Sequence, residues 1–252
     1  MSFKTLYENS ATEGWASHYR YLAPLRRLQE TVALCLEASP QRMLDIGCGD
    51  GVLLALLQDQ MKADRRAQLV GVDLSEGRLK RARKRLGSTV SCADAARLPF
   101  ATETFDLCLC AEVLEHLPDP DAALIEWRRI TRTGGRLVLT VPVVGWSRWI
   151  EARLTKRVRF LNEIEHLREY APVQMKRCVL VSELVRALER AGWRVIGRQG
   201  VYYYPHRGER FWNAIFNREP LLRIVSSLDR WLGSRPSLSS WGRYLILECI
   251  RA

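Results

Sequence analysis

Short apolar runs alternate with amphipathic stretches through the first 140 or so residues of this chain. Apolar runs of strand length, bounded by Gly, Asp, Ser or Pro and separated by stretches of helical period, are the pattern of βαβ units around a parallel sheet. Strands are predicted at Arg42–Gly47, Gln68–Asp73, Thr89–Ala93, Phe105–Ala111 and Arg136–Val141. Helices are predicted between them at about Gly51–Asp59, Gly77–Leu86 and Asp121–Thr131. A helix over Ser182–Ala191, a strand over Trp193–Arg198 and a last strand over Tyr244–Ile250 follow. Residues 16–38 read as one or two helices stopped at Ser39–Pro40. The chain is therefore expected to be an α/β protein with seven strands. Residues 142–181 and 199–241 break the alternation, and insertions of that length beside a sheet usually carry specific function.

The chemistry concentrates at the ends of the first strands. Met43–Gly51 reads MLDIGCGDG, a buried strand running into three alternate glycines and then a helix. Gly47, Gly49 and Gly51 permit a tight turn and let a ligand approach the peptide groups. The helix that begins there offers free N–H groups and a dipole to a negatively charged ligand group. Asp45 stands two residues before the first glycine, where it can orient the loop or accept a bond from a ligand ammonium group. The spacing D-x-G-x-G-x-G differs from the dinucleotide pattern G-x-G-x-x-G/A, because Val52 stands where that pattern needs a small residue. The phosphate-loop pattern G-x-x-x-x-G-K-[ST] is absent. Asp73 closes the second strand, where a carboxylate is placed to accept two hydrogen bonds from a ribose diol; capping the helix after Ser75–Glu76 is the alternative. Asp94 closes the third, within reach of an exocyclic adenine amine, while the Ala95 N–H meets a ring nitrogen. Ligands of open α/β sheets lie beyond these carboxyl ends.

LDIGCGDG, VGVDLS, CADAARLPF, FDLCLCAEVLEHLPDP and TGGRLVLTVP together resemble the class I S-adenosylmethionine-dependent methyltransferases. The small-molecule subgroup that includes the ubiquinone and menaquinone biosynthesis methyltransferases is the most similar. The resemblance covers roughly residues 40–142. It implies a Rossmann-like, seven-stranded, mostly parallel sheet with helices on both faces and an antiparallel C-terminal strand. It implies S-adenosyl-L-methionine as cofactor; no metal site is expected from the sequence. The methionine part would lie against Gly47, Cys48, Gly49 and Gly51 with Asp45, the ribose on Asp73 beside Leu74, and adenine beside Asp94 and Ala95. Ala111 and Glu112 would face the sulfonium. After the fourth strand the chain reads Ala-Glu-Val-Leu-Glu-His, not the Asp/Asn-Pro-Pro-aromatic tetrad of many nucleic-acid and amino-group methyltransferases, which argues against adenine or cytosine amines as acceptors. Oxygen, carbon and other nitrogen acceptors stay open.

On this reading residues 1–252 are one domain. A helical lid occupies 1–40, the cofactor-binding core 41–142, an acceptor-pocket insertion 143–181, and the rest of the sheet 182–252 with an amphipathic helical insertion at 205–235. An oxygen acceptor must lose its proton to a base. His166, in NEIEHLREY, resembles the His-x-Arg-x-aromatic turn of related enzymes and is the first candidate; His116, after the fourth strand, is the second. His18 and His206 are weaker placements.

Charge sharpens the expected acceptor. Of a net +11, residues 1–141 carry 19 basic and 18 acidic side chains, and residues 142–252 carry 20 and 10. Six of the eight tryptophans lie in that basic half. An anionic partner suits it: a small-molecule or lipid-like acceptor, an anionic membrane surface, or RNA or protein as the alternative acceptors. No recognisable nucleic-acid module accompanies the charge, which disfavours nucleic acid. A non-catalytic cofactor-binding protein on the same fold is the remaining alternative. Two stripes, Trp146–Leu161 and Pro220–Leu232, have tryptophan-bearing apolar faces and arginines; they pack on the sheet or on each other, lie in a membrane interface, or build a hydrophobic acceptor pocket with an arginine-rich mouth that suits a lipid-like or anionic aromatic acceptor. Seven cysteines without C-x-x-C are expected as buried reduced thiols, not a disulfide frame or zinc site. The stretch MSFKTLYENSATEGW has no apolar signal core, so a cytoplasmic location is expected, with peripheral binding at a membrane's inner face as a further expectation.

Overall fold

The computed structural model describes residues 22–61, 67–86, 89–143, 180–201, 203 and 219–252. In chain order the elements are α1 (Leu22–Glu37), β1 (Arg42–Ile46), α2 (Val52–Gln60), β2 (Gln68–Asp73), α3 (Glu76–Leu86), β3 (Val90–Cys92) and β4 (Phe105–Ala111). There follow a 3-10 turn (Leu114–His116), α4 (Pro120–Ile130), β5 (Thr131–Pro142), α5 (Val181–Arg190), β6 (Trp193–Val201), α6 (Glu219–Gly233), the short α7 (Pro236–Ser239) and β7 (Tyr244–Arg251). The strands form one sheet in the order β3-β2-β1-β4-β5-β7-β6. All described pairs are parallel except those of β7, which runs antiparallel to both β5 and β6. The expected seven-stranded architecture is the one observed.

Local sequence explains most of these elements. The central strands are near-continuous apolar runs because both faces are covered. On one face Leu44, Ile46, Phe105, Leu137 and Leu247 pack with Trp127 of α4, Leu184 of α5 and Trp193. On the other Met43, Leu107, Val138 and Ile246 pack with Val32 of α1 and Leu57 of α2. α4 starts where Asp119 accepts the Ala122 N–H at 3.0 Å and Pro120 takes the first turn. β5 begins at Thr131, five residues before the predicted start at Arg136. The chain passes straight from α4 into the strand, and the Thr131 hydroxyl donates to the Trp127 carbonyl at 2.7 Å. β3 is shorter than its apolar pattern suggested, and as the edge strand it leaves Ser91 and Cys92 exposed. Cys92 thus departs from the expectation of buried thiols, whereas Cys35, Cys48, Cys108, Cys110 and Cys249 are buried and free. Among the described residues no helix is long and apolar enough to cross a membrane, and no cluster could hold a metal ion.

Candidate functional site

The strand order reverses between β1 and β4, and the crevice beyond the carboxyl ends at that point is the ligand site of open α/β sheets. The glycine loop sits there. The Gly47 and Cys48 N–H groups both donate to the Val72 carbonyl, at 2.7 and 2.8 Å, anchoring the loop to β2. Gly47, Gly49 and Gly51 have φ of +76°, +55° and +73°, the left-handed region that only glycine enters without strain. Their surroundings differ. A Cβ on Gly47 would collide with Val113, and one on Gly51 would lie 2.5 Å from Leu86 Cδ1. Gly49 faces open space, so its peptide is the part of the loop a ligand can approach.

Two carboxylates sit beneath the loop. Asp73 is buried; its Oδ2 accepts the Gly49 N–H at 2.9 Å and its Oδ1 accepts the Ser75 N–H at 2.8 Å. It therefore ties β2 to the glycine loop, while the Ser75 hydroxyl takes the cap position of α3 by accepting the Arg78 N–H at 3.4 Å. Asp45 is 1% exposed, and its Oδ2 has no hydrogen-bond partner among the described residues. Burial, and secondarily the negative charge of Asp73, push its carboxyl up to about 7. A buried acid with an unfilled acceptor, next to a second acid, is the electrostatic complement of a cation.

α3 holds the loop from outside: Arg81 donates to the Asp50 carboxylate at 3.1 and 2.9 Å, and Arg85 donates to the Asp50 carbonyl at 2.7 Å. Cys48 turns inward. A Cβ on Gly71 would lie 2.8 Å from its Sγ, so Cys48 offers the crevice its backbone and β2 needs glycine at 71. Beyond Asp73, Leu74 is 73% exposed, an apolar side chain at the mouth of the crevice.

The third acid is placed differently. Asp94 lies two residues past β3, is exposed, and accepts the Ala96 N–H at 2.9 Å. Its turn is held from α4. Trp127 donates its indole N–H to the Ala95 carbonyl at 2.9 Å, Glu126 accepts the Leu98 N–H at 2.8 Å, and Arg129 donates to the Leu98 and Phe100 carbonyls. Sequence reading missed this brace, because no local pattern links α4 to a loop some thirty residues earlier.

At the tip of β4, Glu112 has φ +56°, uncommon for a residue with a long side chain. Its carboxylate pairs with the Arg27 guanidinium of α1, which also lies 4.7 Å from the Tyr244 ring centroid. Both side chains of the pair are buried. The neighbouring Arg26 pairs with Asp229 of α6, so α1 is bonded to the strand tip and to the C-terminal helix alike. Ala111, opposite Thr140 in the sheet, lies at the same tip, and the buried Thr140 hydroxyl has no hydrogen-bond partner among the described residues. His116 ends the 3-10 turn, exposed, with Nε2 4.0 Å from the Glu115 carboxylate. His166, His18, His206 and the Trp146–Leu161 stripe lie outside the described residues.

Asp45, the glycine loop and Asp73 are thus brought together; Asp94 and Ala95 flank them beyond β3, and Ala111 and Glu112 beyond β4. An open glycine peptide, an unfilled buried acceptor, a buried acid and an apolar rim fit a nucleoside that carries a positive charge.

A methyltransferase-domain family matches residues 44–139. The chain is 28% identical over 177 residues to the ubiquinone biosynthesis O-methyltransferase of Idiomarina loihiensis, across 67% of this chain and 68% of that protein. It is 30% identical over 207 residues to the malonyl-[acyl-carrier protein] O-methyltransferase of Geobacter sulfurreducens, across 78% and 74%. Among solved structures, an S-adenosylmethionine-dependent methyltransferase from Thermotoga maritima is similar in fold, with a TM-score of 0.62 and 22% identity over 99% of this chain and 97% of that one.

Proposed function

We propose that this chain, which belongs to the class I S-adenosylmethionine-dependent methyltransferases, methylates an oxygen of a small, lipid-like or aromatic acceptor. The cofactor of the family is S-adenosylmethionine, which when bound supplies a methyl group already activated on a sulfonium. The observation that carries the reading is the unfilled Asp45 carboxyl beneath the open Gly49 peptide. Asp45 and the loop would hold the amino-acid end, Asp73 the ribose, and Leu74, Asp94 and Ala95 the base.

Oxygen as acceptor is supported by the names of both relatives, each an O-methyltransferase. The residues at the tip of β4, Ala111-Glu112-Val113-Leu114, supply no Pro-Pro-aromatic platform for a nucleobase amine. The protein's task is to align acceptor oxygen, methyl carbon and sulfur and to keep water out. A hydroxyl acceptor would give its proton to His166 or His116; a carboxylate would need no base. The basic half of the chain suits an anionic acceptor.

Calorimetry with S-adenosylmethionine, followed by transfer of a labelled methyl group to a panel of phenols, fatty carboxylates and RNA, tests this. Binding of the cofactor with label in an oxygen ester or ether is expected. Label confined to RNA, or to nitrogen or carbon, would overturn the acceptor assignment, and absence of cofactor binding would overturn the site.

A further inference from the structure

α6 is amphipathic in the wrong sense for a helix that simply packs on a sheet. Ile224, Leu228 and Trp231 follow one another at i, i+4 and i+7 and so share a stripe. They are 64%, 55% and 51% exposed. The side turned inward carries Asp229, which is buried, paired with Arg26 and accepting the Tyr203 N–H at 3.0 Å. The helix is thus tied inward at Asp229 by polar contacts while Ile224, Leu228 and Trp231 face out. At its end Arg235 lies over the Trp231 ring, 3.9 Å from the centroid, and Trp241 is 52% exposed.

We infer that α6 docks this protein on an anionic lipid surface. Tryptophan beside an arginine is the pairing that suits the headgroup level of a bilayer: the ring enters the interface and the guanidinium meets phosphate. Charge singles out this occupant. Between Pro220 and Leu247 the only acidic residue is Asp229, buried in its ion pair; Arg230 and Arg235 are exposed, Arg230 paired with Glu30 of α1, while Arg243 is buried. From Pro220 to the end of α6 an anionic membrane therefore meets exposed arginine and no exposed carboxylate; Glu219, the helix's first residue, stands five residues before the stripe. A second copy of the chain fits worse, because a two-fold contact sets a patch against itself and would bring Arg235 near its own equivalent. The 15-residue helix is about 22 Å long and the stripe occupies its C-terminal two thirds, enough to lie along a bilayer but not to cross it. The inference is independent of the methyl acceptor.

The test is sedimentation of the intact protein with vesicles of phosphatidylcholine alone and of phosphatidylcholine with phosphatidylglycerol, at low and raised salt. Binding to the anionic vesicles is expected, weakened by salt and at least about tenfold weaker on the neutral ones. The I224S/L228S variant should lose about tenfold or more of that binding while its S-adenosylmethionine dissociation constant stays unchanged. Arg235→Ser should weaken binding to anionic vesicles while leaving the cofactor constant unchanged, and keeps the test open if the double variant does not fold. Three results would overturn the inference: wild-type protein left in the supernatant with anionic vesicles at low salt, stripe variants that bind as wild type, or a dimer that the stripe variants convert to monomer without change in vesicle binding.

Discussion

Asp45→Asn isolates a buried charge that no neighbouring group of the described residues neutralises. The Asp45 carboxyl is pushed from an ordinary 3.8 to about 7, first by burial and then by Asp73; the thiols of Cys35, Cys48 and Cys110 are pushed up mainly by their own burial, with a smaller contribution from Asp45. A difference of that size is worth about 4 kcal/mol between the protonated and ionised forms. The folded chain holds this proton more tightly than the unfolded chain does. Asp45 therefore lowers the stability of the ligand-free protein as pH rises from about 4 to about 7, and the loss is complete above that window. Asparagine cannot ionise. The stability difference between the variant and the wild type should thus shift in the variant's favour by up to about 4 kcal/mol across the window, and comparing the two cancels every other titrating group. Denaturant unfolding followed by circular dichroism from mildly acidic to mildly basic pH reads this directly. A cationic ligand needs the ionised carboxylate, so wild-type affinity for S-adenosylmethionine should fall as pH drops below about 7, and binding there should release a proton that calorimetry in two buffers detects. The variant should bind more weakly, with a flat pH profile. Parallel unfolding profiles for the two proteins, with no proton released on binding, would refute the placement of this charge.

Asp73→Ala should lower cofactor affinity by at least about tenfold in calorimetry, the scale of a hydrogen bond to a charged acceptor, and loosen the loop that Asp73 ties through Gly49. Gly49→Ala and Gly47→Ala should separate: the first meets open space and only the strain of a left-handed residue, about 1 kcal/mol, so it should fold and lose ligand affinity. The second collides with Val113 and should lose thermal stability first. Arg27→Met should cost about 3 kcal/mol by stranding part of a buried pair, and the R27M/E112M double variant should recover some of it, a coupling that a denaturation cycle measures. Trp127→Phe, which keeps the ring but removes the donor to Ala95, should cost about 1 kcal/mol and weaken binding on the adenine side.

The sequence by itself determined the strands and helices of the first half and the glycine loop, and it marked the acids at the strand ends. All of these are short-range properties: an apolar run marks a strand buried on both faces, and alternate glycines mark a turn that other residues cannot make. It also placed Asp94 at a strand end, where the chain in fact leaves the sheet two residues earlier, because a three-residue edge strand has too little pattern to show its limits. Tertiary structure alone decided which acid does what. Asp45 and Asp73 look alike as carboxylates near strand ends, yet each oxygen of Asp73 accepts one backbone N–H while Asp45 is left with an open acceptor, and that difference depends on where β2 and the loop meet. The clasp of Arg27 on Glu112 and the brace of Trp127 on Ala95 join residues far apart in the chain, whose contact no periodicity encodes. For α6, periodicity revealed an apolar stripe but not the direction it faces. The buried pairing of Asp229 with Arg26 turns the stripe outward, since an ionised pair inside excludes that face from the apolar core and leaves the other for solvent or lipid.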